Sequence, residues 1–369
     1  MSDRNNNESS QRIMDGTAWD EFCELLKKAG KHIIDETSPE DPFDRAEGYR
    51  YLTRLTRAAC ETFLEGADPL APELRRTAHE TIKMGADNPD NYYMSAPIRG
   101  RHEYRITGQR GTVHYLGFGT QAGNYGATGS LNTTGYLEAA DMEINPDGSF
   151  EMLVSVEEKA GNWLRMAPES RSLIVRQTFL DRKTETLADL RIERIDGPHA
   201  PRYLTARAVD HGLIGSGMFV DGCARLFAQW ANGMKAHTNE LPLFDPAVAK
   251  AAGGDPNILY HHSYWELAED EALVIESPIP ECDYWNFQLN NHWMESLDYR
   301  YFPITFNKHT AKLGPEGSVR LVISAENPGV ENWVDTCGHV RGTMCWRWIR
   351  ATDPPTPVTR VVKTASLGT

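Results

Sequence analysis

An internal repeat constrains the fold of this 369-residue chain more than any other feature of its sequence. The segment NPDGSFEMLVS at 145–155 aligns with GPEGSVRLVIS at 314–324, at an offset of 169 residues. The same offset aligns Tyr115 with Tyr284, and an offset of 170 extends the match into later segments of both copies. Because the matches occur in the same order over a long stretch, we interpret the chain as containing one β-unit twice.

The pattern within each copy predicts the fold class. Short alternating segments are separated by Gly, Pro and Asn turns, which is typical of antiparallel β-sandwiches or jelly rolls rather than of parallel βαβ sheets. Helical periodicity is limited to the N-terminal part and to the stretch between the copies. We therefore predict a mainly β, α+β chain with helical additions. The predicted divisions are a disordered tail at 1–12, an N-terminal helical region at 13–86, a first β-unit at 87–200, a helical insert or linker at 201–255 and a second β-unit at 256–369.

Charge and composition exclude several classes of partner. The chain has 38 Lys and Arg against 52 Asp and Glu, a formal net charge of −14, which repels nucleic-acid backbones and anionic lipid headgroups. No apolar run approaches the ~20 residues that span a bilayer, and the polar N-terminus has no hydrophobic signal region. The six cysteines form no CxxC pair and are too sparse for a disulfide scaffold. These features predict a cytoplasmic protein without nucleic-acid or membrane partners.

Three segments carry a family resemblance: RAEGYRYLTRL at 45–55, DNPDNYY at 87–93, and the closing stretch at 300–333. From about residue 40 onward, the chain resembles the bacterial family catalogued as domain of unknown function 1214. The resemblance implies a pair of jelly-roll-like β-units with helical additions. It implies no reaction, cofactor or catalytic residue.

The segment DYWNFQLNNHW at 283–293 supplies the principal candidate site. Alternation places its apolar side chains on one face and four neutral hydrogen-bonding side chains on the other. These four, called the polar row below, are Asn286, Gln288, Asn290 and His292. The corresponding positions of the first copy are mostly glycine, so the fold itself does not require the row. Amides beside an imidazole suit an oxygen-rich ligand, and the alternative is an amide ladder between packed units.

Acid/base chemistry is the reaction type that these residues favour. His292 is the natural general base, with Glu295 or Asp298 beyond it as its partner. We predict an enzyme that acts on a small oxygen-rich or aromatic metabolite by cofactor-free hydrolysis, elimination or isomerisation.

Three further residues are candidates for contact with a small-molecule ligand. Arg341, which the repeat aligns with Arg171, either binds a carboxylate or ties strands together. Tyr264 and Trp265 could form an aromatic platform for sugars, which makes a non-catalytic carbohydrate or envelope-fragment binding protein the alternative function. A third possibility is a scaffold that assembles into a homo-oligomer through its N-terminal helices.

A metal site has little support. His262, Glu266 and His292 together offer two imidazoles and a carboxylate, but their spacing matches no cupin-type motif, so no metal or cofactor is predicted. The glycine-rich segment 117–135 lacks the Lys-Ser/Thr pair of a phosphate-binding loop, and we interpret it as a mobile loop beside a binding site.

Overall fold

The computed structural model describes residues 2–126, 128–251 and 253–367, in which five α-helices and sixteen β-strands occur. The helices are α1 Ser2–Met14, α2 Thr17–Lys31, α3 Pro42–Cys60, α4 Ala206–Met234 and α5 Pro246–Ala251. The strands of the first β-unit are β1 Asn91–Pro97, β2 Tyr104–Gln109, β3 Tyr115–Asn124, β4 Ser130–Glu138, β5 Ser149–Ser155, β6 Trp163–Arg165, β7 Ser172–Thr178 and β8 Asp189–Arg194. The strands of the second are β9 Ile258–Glu266, β10 Glu271–Pro278, β11 Tyr284–Leu289, β12 Thr305–Asn307, β13 Ser318–Ser324, β14 Trp333–Asp335, β15 Arg341–Ile349 and β16 Val358–Lys363. The predicted class, mainly β with helical additions, is confirmed.

The two β-units have the same strand order. Each contains an inner sheet, ordered β1-β7-β3-β4 in the first unit and β9-β15-β11-β12 in the second. Each also contains an outer sheet, ordered β8-β2-β5-β6 and β16-β10-β13-β14. Even the parallel pairs correspond, since β5 with β6 and β13 with β14 occupy equivalent places. This topology is the one that the sequence repeat predicts.

Each unit buries its own apolar core between its inner and outer sheets. In the first unit, Phe118 of the inner sheet meets Phe150 of the outer sheet edge to face. In the second, Trp285 stacks on Trp346 with ring centroids 5.0 Å apart, and Trp348 packs beside them. Aromatic rings of this size contribute strongly to core stability because each buries a large apolar area.

A third core joins the helices to the second unit. The N-terminus of α3 is capped by the Asp41 carboxylate, which accepts hydrogen bonds from the backbone of Phe43 and Asp44. Downstream, the Trp293 indole donates to the Asp44 carbonyl at 2.8 Å and lies against Gly48. The helices are therefore part of the packed structure rather than an appendage.

The predicted disordered tail at 1–12 is wrong, because Ser2–Met14 forms α1. Arg12 binds the Asp210 carboxylate of α4 at 3.0 Å and Glu21 of α2 at 2.7 Å. These tertiary ion pairs hold a polar helix that local sequence alone does not favour.

The predicted mobile loop at 117–135 is also wrong. Its described residues form most of the hairpin of β3 and β4, and the hairpin turn packs against α4. A Cβ atom on Gly222 of α4 would lie 2.4 Å from Gly126 Cα, so glycine at this position permits the close approach. Across the described ranges, no helix has the length and apolar character required to cross a membrane.

Candidate functional site

The structure buries the whole polar row. Strand β11 is covered on both faces, by the core of the second unit on one side and by the segment 86–91 on the other. The members with no measurable exposure are Asn286, Gln288, Asn290 and His292. An open ligand-binding face, as predicted for these residues, is therefore wrong.

The amides of the row bind protein groups. Asn286 Nδ2 donates to Asn88 Oδ1 at 3.1 Å, and Gln288 Nε2 donates to the Asp87 carbonyl at 2.9 Å. Asn290 Nδ2 donates to Thr343 Oγ1 at 3.2 Å. The row corresponds to the alternative interpretation, an amide ladder between packed parts of the chain.

His292 is placed for packing rather than for proton transfer to a ligand. Its Nδ1 lies 3.0 Å from the hydroxyl of Tyr264, which is itself fully buried. Burial, assisted by the positive charges of Lys235 and Arg341, lowers the pKa of His292 to about 3. Neither His292 nor Tyr264 lines the two cavities described below, and neither side chain has measurable exposure to solvent.

Glu295 does not pair with His292 as predicted. Its carboxylate accepts from Arg54 of α3 at 2.6 Å and from Asn291 Nδ2 at 3.0 Å. The carboxylate lines a minor cavity of about 240 Å³ beside buried Lys83, whose ammonium donates to the carbonyls of Ser296 and Leu297. Burial raises the pKa of Glu295, and the Arg54 charge opposes that rise.

The other predicted residues serve mainly structural roles. Arg341 lies 3.3 Å from Glu266 and 3.7 Å from Asp44, so it ties strand β9 and helix α3 to β15. Trp265 is fully buried, which leaves it no access to a sugar. Among residues with described placement, no three His, Cys, Asp or Glu side chains group as a metal site, so the weak candidates His262 and Glu266 do not assemble one with His292.

A central cavity of about 840 Å³ lies between the two inner sheets and helix α4. Its volume is within the range of small-molecule sites. One wall is apolar, and the α4 side chains on that wall are Phe219, Phe227, Trp230 and Met234. The inner sheets contribute Arg176 and Arg347 to the opposite walls. The charged lining residues outside those sheets are Glu61, Glu73, Arg75, Asp87, Arg99, Glu169 and Arg171.

Two tyrosine–arginine pairs line this cavity, one from each unit. Tyr93 of β1 lies opposite Arg176 of β7, and Tyr260 of β9 lies opposite Arg347 of β15. The strands correspond in the sheet order, so the two pairs occupy equivalent positions of the two units. We call them the Tyr–Arg pairs.

The two guanidinium groups hydrogen-bond to uncharged acceptors. Arg347 is 5% exposed and donates to the side-chain oxygens of Gln288 and Asn286 and to the Ala86 carbonyl. Arg176 donates to the Gly253 carbonyl at 2.8 Å. Within the described ranges, neither arginine has a carboxylate at ion-pair distance.

Both tyrosines lie in the electrostatic field of both arginines. Burial raises the pKa of Tyr93, while the charges of Arg347 and Arg176 lower it. The pKa of Tyr260 is likewise raised by burial and opposed by the same two arginines. The four groups therefore form one electrostatic cluster.

Buried aspartates also act on this cluster. Burial raises the pKa of Asp87 and of Asp90 while the Arg347 charge opposes that rise, and Asp87 lines the cavity. Another is Asp255. It acts on the pKa of Arg176, and its carboxylate already accepts the hydroxyls of Tyr115 and Tyr136 at 2.9 and 3.0 Å. The aspartate is thus committed to hydrogen bonds within the protein.

His262 adds a neutral imidazole to the cavity wall. Its ring stacks on Tyr260 with centroids 5.4 Å apart, and Phe244 meets it edge to face. Burial lowers the pKa of His262 to about 3, with a further contribution from Arg347. Its Nδ1 atom is buried without a hydrogen-bond partner among the described residues.

The sequence contained a signal for the Tyr–Arg pairs that was missed. The offset of 170 aligns Arg176 with Trp346, whereas the strand pairing requires an offset of 171, which aligns it with Arg347. An alignment of the two copies with one more inserted residue would have paired Arg176 with Arg347.

Comparison with known proteins places the chain in a family without identifying its activity. No family model and no curated protein matches the sequence. The crystal structure of an uncharacterised protein from Burkholderia cenocepacia is 51% identical, with a TM-score of 0.95, and the match covers 97% of this chain and 99% of that one. This chain belongs to the same family. A Vibrio parahaemolyticus protein, 12% identical with a TM-score of 0.52 over 92% of this chain and 100% of that one, shares the fold of the family. The resemblance to domain of unknown function 1214 stays a prediction.

Proposed function

We propose that this protein binds a small organic anion with an apolar body in the central cavity. The observation that carries the proposal is the pair of arginines that line the cavity without a carboxylate of the described residues at ion-pair distance. A buried charge is costly unless it is paired, and a bound anion would supply the missing partner. Guanidinium groups bind carboxylates and phosphates through paired donors, which suits them to this task.

The apolar wall supports a ligand that is more than a simple inorganic ion. Phe227 and Trp230 meet edge to face with centroids 5.3 Å apart, and Tyr125 packs against both. An aromatic or aliphatic body would pack against this wall while its acidic group meets the arginines on the sheets.

In this proposal the polar row supports Arg347 and does not contact the ligand itself. Gln288 and Asn286 accept hydrogen bonds from Arg347 and are themselves held by the segment 86–91. Supporting hydrogen bonds of this kind fix the orientation of a binding group before the ligand arrives.

A catalytic role is the second candidate, and His262 is the observation that favours it. Its unpartnered Nδ1 at the cavity wall could accept a proton from a ligand, in the hydrolysis, elimination or isomerisation expected from the sequence. With a pKa of about 3, however, the imidazole is a weak base at neutral pH. Binding is therefore the function that we favour.

The remaining alternatives rest on surfaces outside the cavity. Burial of Tyr264 and Trp265 removes the aromatic platform on which the carbohydrate-binding hypothesis depended. Assembly through the N-terminal helices keeps some support from Met14 and Trp19, which are 83% and 58% exposed. Measurement of the molecular mass in solution tests that alternative directly.

A thermal-shift comparison of acids with their neutral amides tests the proposed function. We expect benzoate and medium-chain carboxylates to raise the melting temperature and benzamide and the matching aliphatic amides to leave it unchanged. The Arg347→Gln variant should lose the response, because the charge that selects the acid is gone. The control is Arg360→Gln, which removes an exposed arginine paired with Glu276. Equal responses to acids and amides, or an unaltered response of Arg347→Gln, would contradict the proposal.

A further inference from the structure

We infer that the acidic part of the ligand carries two negative charges, one for each Tyr–Arg pair, as a dicarboxylate or a phosphate monoester does. This inference rests on the proposed function and specifies the class of ligand.

The two arginines occupy equivalent positions in the two units. On its inner sheet, Arg176 lies between Tyr93 and Gly117 on neighbouring strands. On the other inner sheet, Arg347 lies between Tyr260 and Asn286 in the same way. Each unit therefore contributes one cation to the same cavity from the same place in its sheet.

The two cations of the Tyr–Arg pairs have no counter-charge from the described residues in direct contact. By comparison, Arg12 lies 3.0 Å from Asp210 and Arg54 lies 2.6 Å from Glu295, whereas the buried Lys83 ammonium, like the two guanidiniums, binds carbonyls. The Tyr–Arg pairs lack carboxylate partners within the described ranges. A ligand with one charge would neutralise one guanidinium and leave the other buried, whereas a dianion would neutralise both.

The two arginines differ in the hydrogen-bond acceptors that surround them. The equivalents of Asn286 and Gln288 in the first unit are Gly117 and Gly119, which offer no side-chain acceptor to Arg176. Arg347 thus donates to two side-chain amides and a carbonyl, while the Arg176 side chain has one carbonyl acceptor among the residues that the structure describes. One cation is fixed in position, and the other can adjust to the spacing of two acidic groups.

Calorimetric titration with probes that share a ring but differ in charge tests this inference. The probes are benzoate with one charge, the three benzenedicarboxylates with two charges at different spacings, and phenyl phosphate at a pH above its second ionisation. We expect at least one dianion to bind about 10-fold or more tightly than benzoate. Tighter binding of a benzenedicarboxylate or of phenyl phosphate shows whether two carboxylates or one phosphate supply the two charges.

Variants assign the preference to the two arginines. Arg176→Gln and Arg347→Gln should each abolish the preference for dianions over benzoate, and Arg360→Gln should retain it. Arg176→Gln is the safer variant for folding, because the Arg176 guanidinium makes one hydrogen bond to described residues, to the Gly253 carbonyl. Far-UV circular dichroism verifies that each variant is folded.

The outcomes separate this inference from the proposed function. If benzoate binds as tightly as every dianion and Arg347→Gln weakens its binding, the double charge is overturned and the organic-anion site stands. If none of the probes binds the wild-type protein, both are overturned. If dianions are preferred but neither arginine variant changes the preference, the inference from the Tyr–Arg pairs is overturned.

Discussion

At the residue scale, the segment 86–91 packs over the polar row and makes it part of a joint between distant parts of the chain. The alternation in 283–293 places the apolar side chains of β11 in the core of the second unit, but the strand ends at Leu289 and Trp293 packs with the helices instead. It could not reveal that the segment 86–91, almost two hundred residues away in sequence, packs over the row. Because both faces are buried, His292 and its neighbours serve as structural groups rather than as ligand-binding residues. The arginines that line the cavity were missed because irregular strand lengths shift the repeat by one more residue.

The buried state of His292 predicts how stability responds to pH. Its pKa is about 3 in the folded protein and about 6.5 in the unfolded chain, so the unfolded chain binds more protons between these values. The histidine therefore reduces the free energy of unfolding as the pH falls through this window, by at most about 1.4 kcal/mol per pH unit. In urea titrations between about pH 4 and 6, we expect His292→Gln to have a shallower pH dependence than the wild type, by about one proton. Identical slopes would contradict the neutral buried imidazole.

At the scale of elements, periodicity predicts helical segments before the first β-unit and between the two units, where α2, α3 and α4 lie, and it fails where tertiary contacts decide the outcome. Asp41 caps α3 and Pro42 begins it, a start signal that depends on neighbouring residues alone. The helix α1 depends on ion pairs with distant residues such as Asp210. The glycines of 117–135 resemble those of a loop, but the close packing of Gly126 against α4 is visible only in three dimensions.

That packing gives a matched pair of substitutions within α4. A Cβ atom on Gly222 would collide with the backbone of Gly126 and Tyr125, whereas one on Gly233 has no heavy atom within 4 Å. We expect Gly222→Ala to lower the free energy of unfolding by roughly 1–3 kcal/mol because the hairpin must move. Gly233→Ala should be neutral or stabilise by up to about 1 kcal/mol. Chemical denaturation of both variants measures the difference, and an equal effect at the two positions would show that the hairpin is not held against α4.

At the scale of the whole molecule, the repeat predicted two similar units, and the structure adds that they are joined by shared interiors. Helices α2, α3 and α4 form a common core with Tyr264 and Trp293 of the second unit. Tyr115 and Tyr284, which the repeat aligns, lie in one apolar cluster between the units. A boundary between domains was readable from the repeat, but the extent of these contacts was not.

Such shared cores predict that the molecule unfolds as one cooperative unit. Trp265, Trp285, Trp293, Trp333, Trp346 and Trp348 make six of the nine tryptophans, so intrinsic fluorescence mainly reports the second β-unit. Far-UV circular dichroism reports the helices and both units. We expect the two signals to give the same urea midpoint, because loss of the helices exposes the core beside Trp293. Separate midpoints would indicate units that fold independently.

The unequal anchoring of the two equivalent arginines has a consequence for how ligand preference could evolve. A substitution near Arg347 disturbs amides that are locked into the joint between the units, so the fold itself resists change there. Beside Arg176, a Cβ atom on Gly119 would lie 3.2 Å from Ile174 Cγ2 and 3.9 Å from the guanidinium, so a new side chain there could alter the reach of that cation. Gly117 offers no such space, because a Cβ atom there would lie 2.7 Å from the Tyr136 hydroxyl. Relatives that recognise different anions should therefore diverge on the first-unit wall and keep the second-unit wall constant.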